Sequence, residues 1–397
     1  MLYECTQFGS SLRDPFSEPD TIMNTMQRRE FIHLTAALPL AAQQGAEIPK
    51  YKVVSAFKPA AKPGMPGPYR GQVVSVASPR CIDEATAKVD PQVVRNMLSE
   101  GMRALTGDRD ERDCWARFIT PKDVVGVKVN CSGAPNIMSA PEVVAGIVDN
   151  LIKVGVPAKN IYIYERFMSQ VRTVNYDRYV PEGVNIVTAE ETRGTILGYD
   201  PKTYVETSFF GEEDTRSNLQ RLVAGKLTKI VNVPNMKEHR AAGVTGCLKN
   251  IAYGNFSNMD RSHRFSKTNT YSFVGTLASV EPVRSVTVLH IMDGLRGVWH
   301  GGPFSTNPKF RFFPKQMMFG TDPVAMDRLL IDVIDGKRKA EGAPSIFDRD
   351  PARIKNEREV DPNVNRFIRE PGHIEYAASL GLGVYDIAQI KKKEINL

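Results

Sequence analysis

Short apolar runs of strand length alternate along most of this chain with longer segments of helical periodicity, and this alternation constrains the fold more than any other feature. The run Val124-Val125-Gly126-Val127 has no polar position, so a strand built from it must be covered on both faces. Residues 160–165 form the next predicted strand, and residues 141–154 between the two have a helical pattern. We therefore predict an α/β protein, Rossmann-like, in which helices cover both faces of a mostly parallel sheet elaborated by long loops.

Length and composition set the domain organisation. The chain has 397 residues, of which 42% are hydrophobic, which allows a large core and excludes a disordered chain. Four segments are expected: a signal region at 1–46, a Pro/Gly-rich arm at 47–71, the α/β domain at 72–335, and a charged excursion with a C-terminal helical segment at 336–397. Within the domain, residues 283–291 form a predicted strand that ends at an Asp293-Gly294 turn.

The N-terminus resembles an export signal. Arg28-Arg29 precede an uncharged apolar stretch at 31–42, which is too short to cross a bilayer, because a spanning helix needs about 20 residues. A basic pair followed by a short apolar segment is typical of a secretory signal, and this pair is similar to the twin-arginine type. We expect the twin-arginine machinery to export the chain to the periplasm, with Met26 as an alternative start. A chance Arg pair before a buried helix is the other interpretation.

Charge limits the partners. The formal charge of +7, from 52 Lys and Arg against 45 Asp and Glu, suits an acidic ligand without indicating nucleic acid. The basic cluster Arg261, His263, Arg264 and Lys267 has no aromatic platform beside it, so no nucleic acid is expected. No second stretch is long and apolar enough for a transmembrane segment.

The cysteines argue against one class of cofactor. Cys81, Cys114, Cys131 and Cys247 follow the signal region and form no C-x-x-C pair, so no iron–sulfur cluster or zinc ribbon is expected. Buried thiols are the simplest interpretation, and a catalytic thiol at Cys131 or Cys247 is the alternative.

Several predicted strands end in polar residues. Lys128 and Asn130 share one face of the first strand, and Lys237 and His239 follow the strand at 227–233. Asp293 and Asp322 follow two others. Because ligands bind outside the carboxyl ends of strands in open parallel sheets, these ends predict one common site. The alternative is that each lysine simply marks solvent beyond its strand.

The segment Gly243-Val244-Thr245-Gly246-Cys247-Leu248-Lys249-Asn250 predicts a short helix, at 244–252. Its apolar positions form one packed face, and Thr245 and Lys249 lie one turn apart on another. A glycine-led helix start with free amide groups favours an anion. The spacing of a P-loop is absent, and an ordinary amphipathic helix with an exposed lysine is the alternative.

The histidines allow a metal site. His239 and His263 flank the Gly243 helix, and with Asp293 or, alternatively, Asp322 they would supply two imidazoles and a hard oxygen ligand for a divalent metal. No close His pair supports this set, so hydrogen-bonded structural histidines are the alternative. His290 lies inside a predicted strand and is interpreted as structural.

The identity and order of these segments resemble those of the bacterial and archaeal family named domain of unknown function 362. The similar stretches lie within about residues 120–335: Gly126-Val127-Lys128-Val129-Asn130, Ser139-Ala140-Pro141-Glu142-Val143-Val144, Asn232-Val233-Pro234-Asn235-Met236-Lys237-Glu238-His239, the Gly243 helix, and Thr321-Asp322-Pro323-Val324-Ala325-Met326-Asp327. The resemblance implies the fold and no general activity. Some relatives carry an iron–sulfur domain, which the cysteine pattern here lacks. A distant similarity of fold to the nickel-pincer lactate racemase family is also expected, although no motif establishes it.

We interpret the chain as an exported enzyme for a small anionic organic substrate, with no cofactor identified and a divalent metal as one candidate. The expected catalytic residues are Lys237, His239, His263 and Lys249, and the expected binding residues are Lys128, Asn130, Thr245 and Asn250. Histidine suits proton transfer because it titrates near neutral pH. A periplasmic carrier of a metal or an anionic cofactor is the main alternative, and a structural or assembly protein is a third.

Overall fold

The computed structural model describes residues 48–192, 194–263, 270–348 and 371–397. The chain divides into the units Met1–Glu47 and Ile48–Leu397. The predicted signal region, Arg264 and Lys267 lie outside the described residues.

The described elements alternate as the apolar pattern predicts. The strands are β1 (Lys52–Val54), β2 (Gln72–Ala77), β3 (Val125–Lys128), β4 (Ile161–Phe167), β5 (Asn185–Glu190), β6 (Tyr199–Glu206), β7 (Arg216–Gln220), β8 (Lys229–Asn232), β9 (Asn235–His239), β10 (Gly243–Val244), β11 (Thr287–Val298), β12 (Arg311–Phe312), β13 (Gln316–Gly320) and β14 (Lys391–Asn396). The helices are α1 (Pro91–Thr106), α2 (Glu111–Ala116), α3 (Pro141–Val154), α4 (Met168–Val174), α5 (Arg221–Gly225), α6 (Gly246–Tyr253), α7 (Thr270–Ala278), α8 (Val283–Val286), α9 (Pro323–Ala340) and α10 (Gly372–Ser379).

The main sheet has the order β14-β2-β13-β11-β8-β3-β4-β5. Along this path, every neighbouring pair is parallel except the two pairs that contain β13. The other seven strands of the path therefore end at one edge, and the predicted α/β fold with a mostly parallel sheet is confirmed. A separate antiparallel sheet consists of β1, β6 and β7.

Helices cover both faces of the main sheet, because alternate strand residues point to opposite sides. On β4, Ile163 belongs to one buried cluster, whereas Tyr162 and Tyr164 belong to another. The first cluster includes residues of α1, α2 and α3, and the second includes residues of α6, α7, α9 and α10. The two clusters are the two cores of a three-layer arrangement.

Strand β11 differs from the prediction. Residues 283–286 form α8, and the strand then continues through Asp293 and Gly294 to Val298, so the expected turn is wrong. The cause is packing, because a Cβ atom on Gly294 would lie 2.3 Å from Sδ of Met236. This glycine lets β9 approach β11 closely, and β9 pairs with the extended part of β11.

Asp322 is also placed differently from the prediction. It follows β13, which runs against its neighbours, so Asp322 lies at the opposite edge from Lys128 and Lys237. Its carboxylate accepts a hydrogen bond of 2.9 Å from N of Ala325 at the start of α9, and others from N of Gly71 and Val384. Asp322 is thus a helix cap.

Both ends of the described chain join the domain. In the Pro/Gly-rich arm, β1 pairs with β6, and Met65 is fully buried. At the C-terminus, α10 is the expected helical part, whereas β14 pairs with β2 and was not predicted. The unit therefore extends beyond residues 72–335 on both sides. No helix in the described ranges combines the length and apolarity that a membrane span requires.

Two helical glycines give a test of the packing of α1 on the sheet. A Cβ atom on Gly101 would lie 2.3 Å from the ring of Phe319, so we expect Gly101→Ala to lower the free energy of unfolding by about 1–3 kcal/mol. Gly336 in α9 is exposed and has no atom within 4 Å of such a Cβ, so Gly336→Ala should raise it by about 0.5–1 kcal/mol. Urea denaturation measures both, and stabilisation by Gly101→Ala would contradict this packing.

Candidate functional site

A cavity of about 260 Å³ lies at the carboxyl edge of the parallel strands. It brings together seven of the eight predicted catalytic and binding residues: Asn130, Lys237, His239, Thr245, Lys249, Asn250 and His263. Parallel strands supply Asn130, just after β3, and Lys237 and His239, on β9. The backbone N–H of Thr245 donates to O of Lys237 at 3.0 Å, which fixes the start of α6 beside β9.

Lys128 is the exception, because it lies behind the cavity lining. Its side chain is fully buried, and Nζ is 3.1 Å from Oε1 of Glu165. A Cβ atom on Gly254, which lines the cavity, would lie 2.1 Å from Cε of Lys128. Lys128 is therefore an ion-paired support for Glu165, and the structure does not place it where it would touch a ligand.

A chain of side-chain amides, here called the amide chain, runs from the cavity into the core. Nζ of Lys237 donates to Oδ1 of Asn130 at 2.6 Å, and Nδ2 of Asn130 donates to Oδ1 of Asn250 at 3.0 Å. Asn250 donates to Oδ1 of Asn232 at 2.7 Å, and Nδ2 of Asn232 lies 3.0 Å from Nδ1 of His290. Every amide accepts from the cavity side and donates toward the core, so Asn130 presents a carbonyl oxygen to the lysine.

Lys237 is a buried amine with neutral partners. Besides Asn130, Nζ donates to the backbone O of Ser132 at 2.5 Å. Burial lowers the pKa of Lys237 to about 7, although Glu165 acts in the opposite direction. Among the described residues, no carboxylate forms an ion pair with this amine. Burial therefore makes the charged form of this amine costly.

Lys249 has still fewer partners. Its side chain is buried, and Nζ lies 4.4 Å from the ring centroid of Tyr253. Within the described ranges, this Nζ makes no hydrogen bond or ion pair. Burial lowers the pKa of Lys249 to about 7, the Lys237 charge lowers it further, and Asp260 raises it. The Thr245 hydroxyl one turn earlier is also buried and has no hydrogen-bond partner in the described structure.

The two histidines present different atoms. Nδ1 of His239 accepts from N of Ala241 at 3.0 Å, so the neutral ring carries its proton on Nε2. Nδ1 of His263 lies 3.0 Å from the carbonyl O of Met259 and donates to it, which leaves Nε2 as an acceptor. Burial lowers the pKa of both, that of His263 to about 3. Two neutral imidazoles, one donor and one acceptor, therefore line the cavity.

The start of α6 is already occupied by an anion from the protein. The backbone N–H groups of Cys247 and Leu248 donate to the Asp327 carboxylate at 2.5 and 2.9 Å. Gly246 has φ +55°, and a Cβ atom there would lie 2.2 Å from Oδ1 of Asp327. The expectation of a ligand anion at this helix start is thus wrong, because α9 supplies the carboxylate.

The structure brings together the two histidines of the proposed metal set and places Asp293 elsewhere. The rings of His239 and His263 are 5.5 Å apart between centroids. Asp293 does not line the cavity, and its carboxylate accepts from N of Ala140 and N of Leu295 at 2.7 and 2.9 Å. In the described part of the chain, no three His, Cys, Asp or Glu residues are placed to hold a metal.

The thiol alternative also finds no support. Cys131 and Cys247 are buried, and neither lines the cavity. Burial raises the pKa of Cys131 to about 12 and that of Cys247 well above its ordinary value. Both sulfurs are therefore protonated near neutral pH, and a protonated thiol is a poor nucleophile.

Sequence reasoning missed several residues that line the cavity. Glu165 and Arg166 end β4, so the rule that located Lys128 would have found them too. Tyr253 and Asp260 also line the cavity, and no local pattern marks them, because they reach it through the packing of α6 and of the short turn Asp260–His263.

The site lies in a segment that is shared with other proteins. Residues 125–332, a little over half of the chain, match the family described as Domain of unknown function (DUF362). The chain belongs to the DUF362 family. Every predicted site residue, from Lys128 to Asp293, falls inside the matched DUF362 segment. No curated protein matches the chain.

Solved structures that are similar to this DUF362 chain include the following two. A protein from Thermotoga maritima is 11% identical with a TM-score of 0.35, and the match covers 63% of this chain and 59% of that one. The chain thus spans about three fifths of the length of that protein. The lactate racemase apoprotein from Thermoanaerobacterium thermosaccharolyticum is 10% identical with a TM-score of 0.39, over 87% of this chain and 88% of that one. At these TM-scores neither similarity bears on function.

The burial of Lys249 in the DUF362 cavity predicts a pH-dependent stability. Its pKa falls from 10.5 to about 7 on folding, so the unfolded chain binds more protons between these values, and stability rises with pH in that window. We expect Lys249→Met to raise the free energy of unfolding at about pH 7 and this gain to shrink toward about pH 10. Urea denaturation across this pH range measures the difference.

Lys153 provides the matched control for this experiment, because its side chain is 55% exposed and paired with Glu111. Lys153→Met should leave the stability within about 0.5 kcal/mol of the parent. If Lys249→Met instead lowers the free energy of unfolding equally at every pH, the folded chain stabilises the Lys249 amine and the predicted cost of its burial is wrong.

Proposed function

We propose that this protein is an enzyme that binds a small anionic organic substrate between Lys237 and Lys249 and moves a proton on it through His239 and His263. The observation that carries the proposal is the presence of two buried amines that lack a carboxylate partner among the described residues. Buried charges in proteins are normally paired. An anionic ligand is the partner that would complete this cavity.

The lining favours an organic anion of limited size. The volume of about 260 Å³ is at or below the lower end for drug-sized ligands, which is about 300 Å³. Phe167, Tyr253 and Met259 supply apolar contacts, and the Thr245 hydroxyl is available for a hydrogen bond. A small carboxylic or phosphorylated acid with a short apolar part would satisfy both kinds of lining.

The imidazoles distinguish catalysis from binding alone. A carrier needs the lysine charges, whereas it has no need of one imidazole that donates and another that accepts. His263 Nε2 is an acceptor and His239 Nε2 a donor, and both rings are held by backbone partners. A bound anion raises the lowered pKa of each ring toward the range in which protons are transferred near neutral pH. General acid–base catalysis requires this fixed geometry. Ligand binding that is accompanied by no turnover, in the parent and in His263→Gln alike, would favour carriage.

The binding part of the proposal predicts a linked proton uptake. An anion bound by Lys237 and Lys249 raises the lowered pKa of each amine, so binding should be tightest below about pH 7, weaken above it, and take up protons near pH 8. Titration calorimetry with a panel of small organic acids, repeated in buffers of different ionisation enthalpy, measures both effects.

Variants locate this binding. Lys237→Met and Lys249→Met should each weaken the affinity about ten-fold to a hundred-fold, as expected for a lost hydrogen bond to a charged group. Lys153→Met is the matched control and should bind as the parent does. If the two cavity variants retain the affinity of the parent, the anion does not bind in this cavity.

We further propose that the chain is exported by the twin-arginine route, which Arg28-Arg29 and the apolar stretch at 31–42 support. Replacing both arginines by lysine keeps the charge and removes the paired guanidinium groups that this route recognises. The double variant should accumulate in the cytoplasm while the parent reaches the periplasm, as cell fractionation would show. Equal distribution of the two chains would contradict this route.

A further inference from the structure

The two cavity lysines differ in how their amines are held. Lys237 donates two hydrogen bonds to fixed neutral oxygens, those of Asn130 and Ser132. Within the described structure, Lys249 Nζ makes no hydrogen bond or ion pair and lies against the face of the Tyr253 ring. An amine whose position is fixed by two hydrogen bonds suits the binding of a carboxylate. An amine without a hydrogen-bond partner can approach an electrophile.

We propose that Lys249 is a covalent nucleophile that forms an imine with the carbonyl group of a small oxo acid whose carboxylate is bound by Lys237. This inference rests on the proposed function and specifies its substrate class, namely a carboxylate that carries an aldehyde or ketone group. The Thr245 hydroxyl, buried and without a partner in the described ranges, provides a second donor in the same cavity.

The protonation states support this division of roles. A lysine attacks a carbonyl only as the neutral amine, and burial lowers the pKa of Lys249 to about 7. A substrate carboxylate beside Lys237 raises the pKa of that amine and keeps it charged. The Lys237 charge in turn favours the neutral form of Lys249. A carbonyl group brings no charge of its own to Lys249, so an oxo acid that directs its carboxylate to Lys237 leaves this amine neutral more often than an anion held by both lysines does.

The step balances without an oxidant or a reductant. The Lys249 nitrogen lone pair forms a bond to the carbonyl carbon, the C–O π bond breaks, and the oxygen takes a proton. The nitrogen loses its two protons in turn and the oxygen gains two, so that the oxygen leaves as water while the C=N bond forms. His263 Nε2 accepts each proton from the nitrogen and passes it to the oxygen, to which His239 Nε2–H donates a hydrogen bond, so both imidazoles end neutral. The products are one imine and one water.

Reductive trapping tests the inference. The full chain is incubated with pyruvate and sodium borohydride, and the product is analysed by intact mass and peptide mapping. We expect one adduct per chain, on Lys249, at least ten-fold above the labelling of any other lysine, and a labelling rate that rises as the pH increases through about 7. No adduct above the level of exposed lysines such as Lys153, or an adduct on Lys237 instead, would overturn it.

Lys249→Arg is the informative variant, because it keeps a positive charge and cannot form an imine. It should lose the adduct completely while still binding propionate, which has the carboxylate and lacks the carbonyl. The same trapping with 4-oxopentanoate, in which the carbonyl is farther from the carboxylate, should give less than a tenth of the pyruvate adduct. Equal labelling by the two acids would show that the carbonyl and the carboxylate need not be adjacent, and the imine on Lys249 would still stand.

The outcomes separate this inference from the proposed function. If the parent binds propionate and pyruvate with equal affinity and forms no adduct, the nucleophilic role of Lys249 is wrong and the anion site stands. If the parent binds neither acid in the cavity and forms no adduct, both proposals fail. If Lys249→Arg forms the adduct at the rate of the parent, the nucleophile is another residue.

Discussion

Burying an amine in a protein core is costly unless a partner replaces water. The three buried lysines of the site differ in the partner that the protein provides for the amine. Lys128 is paired with the Glu165 carboxylate at 3.1 Å. Lys237 donates hydrogen bonds to two neutral oxygens, which fix the position of its amine and leave its pKa low. Among the described groups, Lys249 has no hydrogen-bond or ion-pair partner and lies against the ring of Tyr253. The partners that the protein provides for a buried amine therefore become weaker from the core to the cavity. A bound anion would stabilise the charge of Lys249 most, because the protein stabilises it least.

Strand direction brings these amines together. Because β3, β4 and β8 are parallel, their carboxyl ends lie at one edge, and polar residues beyond each strand meet there without any sequence proximity. β13 runs the other way, and its following acid, Asp322, caps a helix at the opposite edge instead. The same local pattern, an apolar run followed by a polar residue, thus has two outcomes that depend on the direction of one strand.

This dependence explains what the sequence could predict. Local periodicity predicts the bounds of α3. The cavity position of Lys237 and Lys249 follows from this periodicity together with the rule that ligands bind outside the carboxyl ends of parallel strands. The continuation of β11 past Gly294 depends on the approach of Met236, and the anion at the start of α6 comes from Asp327, some 80 residues later. Glu165 as the partner of Lys128 likewise requires the pairing of β3 with β4. Interactions between distant segments have no local signature in a single sequence.

The amide chain connects stability to the chemistry of the cavity. Asn232 and Asn250 are buried and satisfied by one another, so they hold Asn130 in the orientation that Lys237 requires. A fully satisfied polar network gives a rigid geometry, whereas an unsatisfied buried group lowers stability. In the described structure, the hydroxyl of Thr245 and the amine of Lys249 are unsatisfied groups at the end of this rigid support. Such a combination of a fixed framework and two uncompensated polar groups is what a site requires if binding energy is to come from the substrate rather than from the protein.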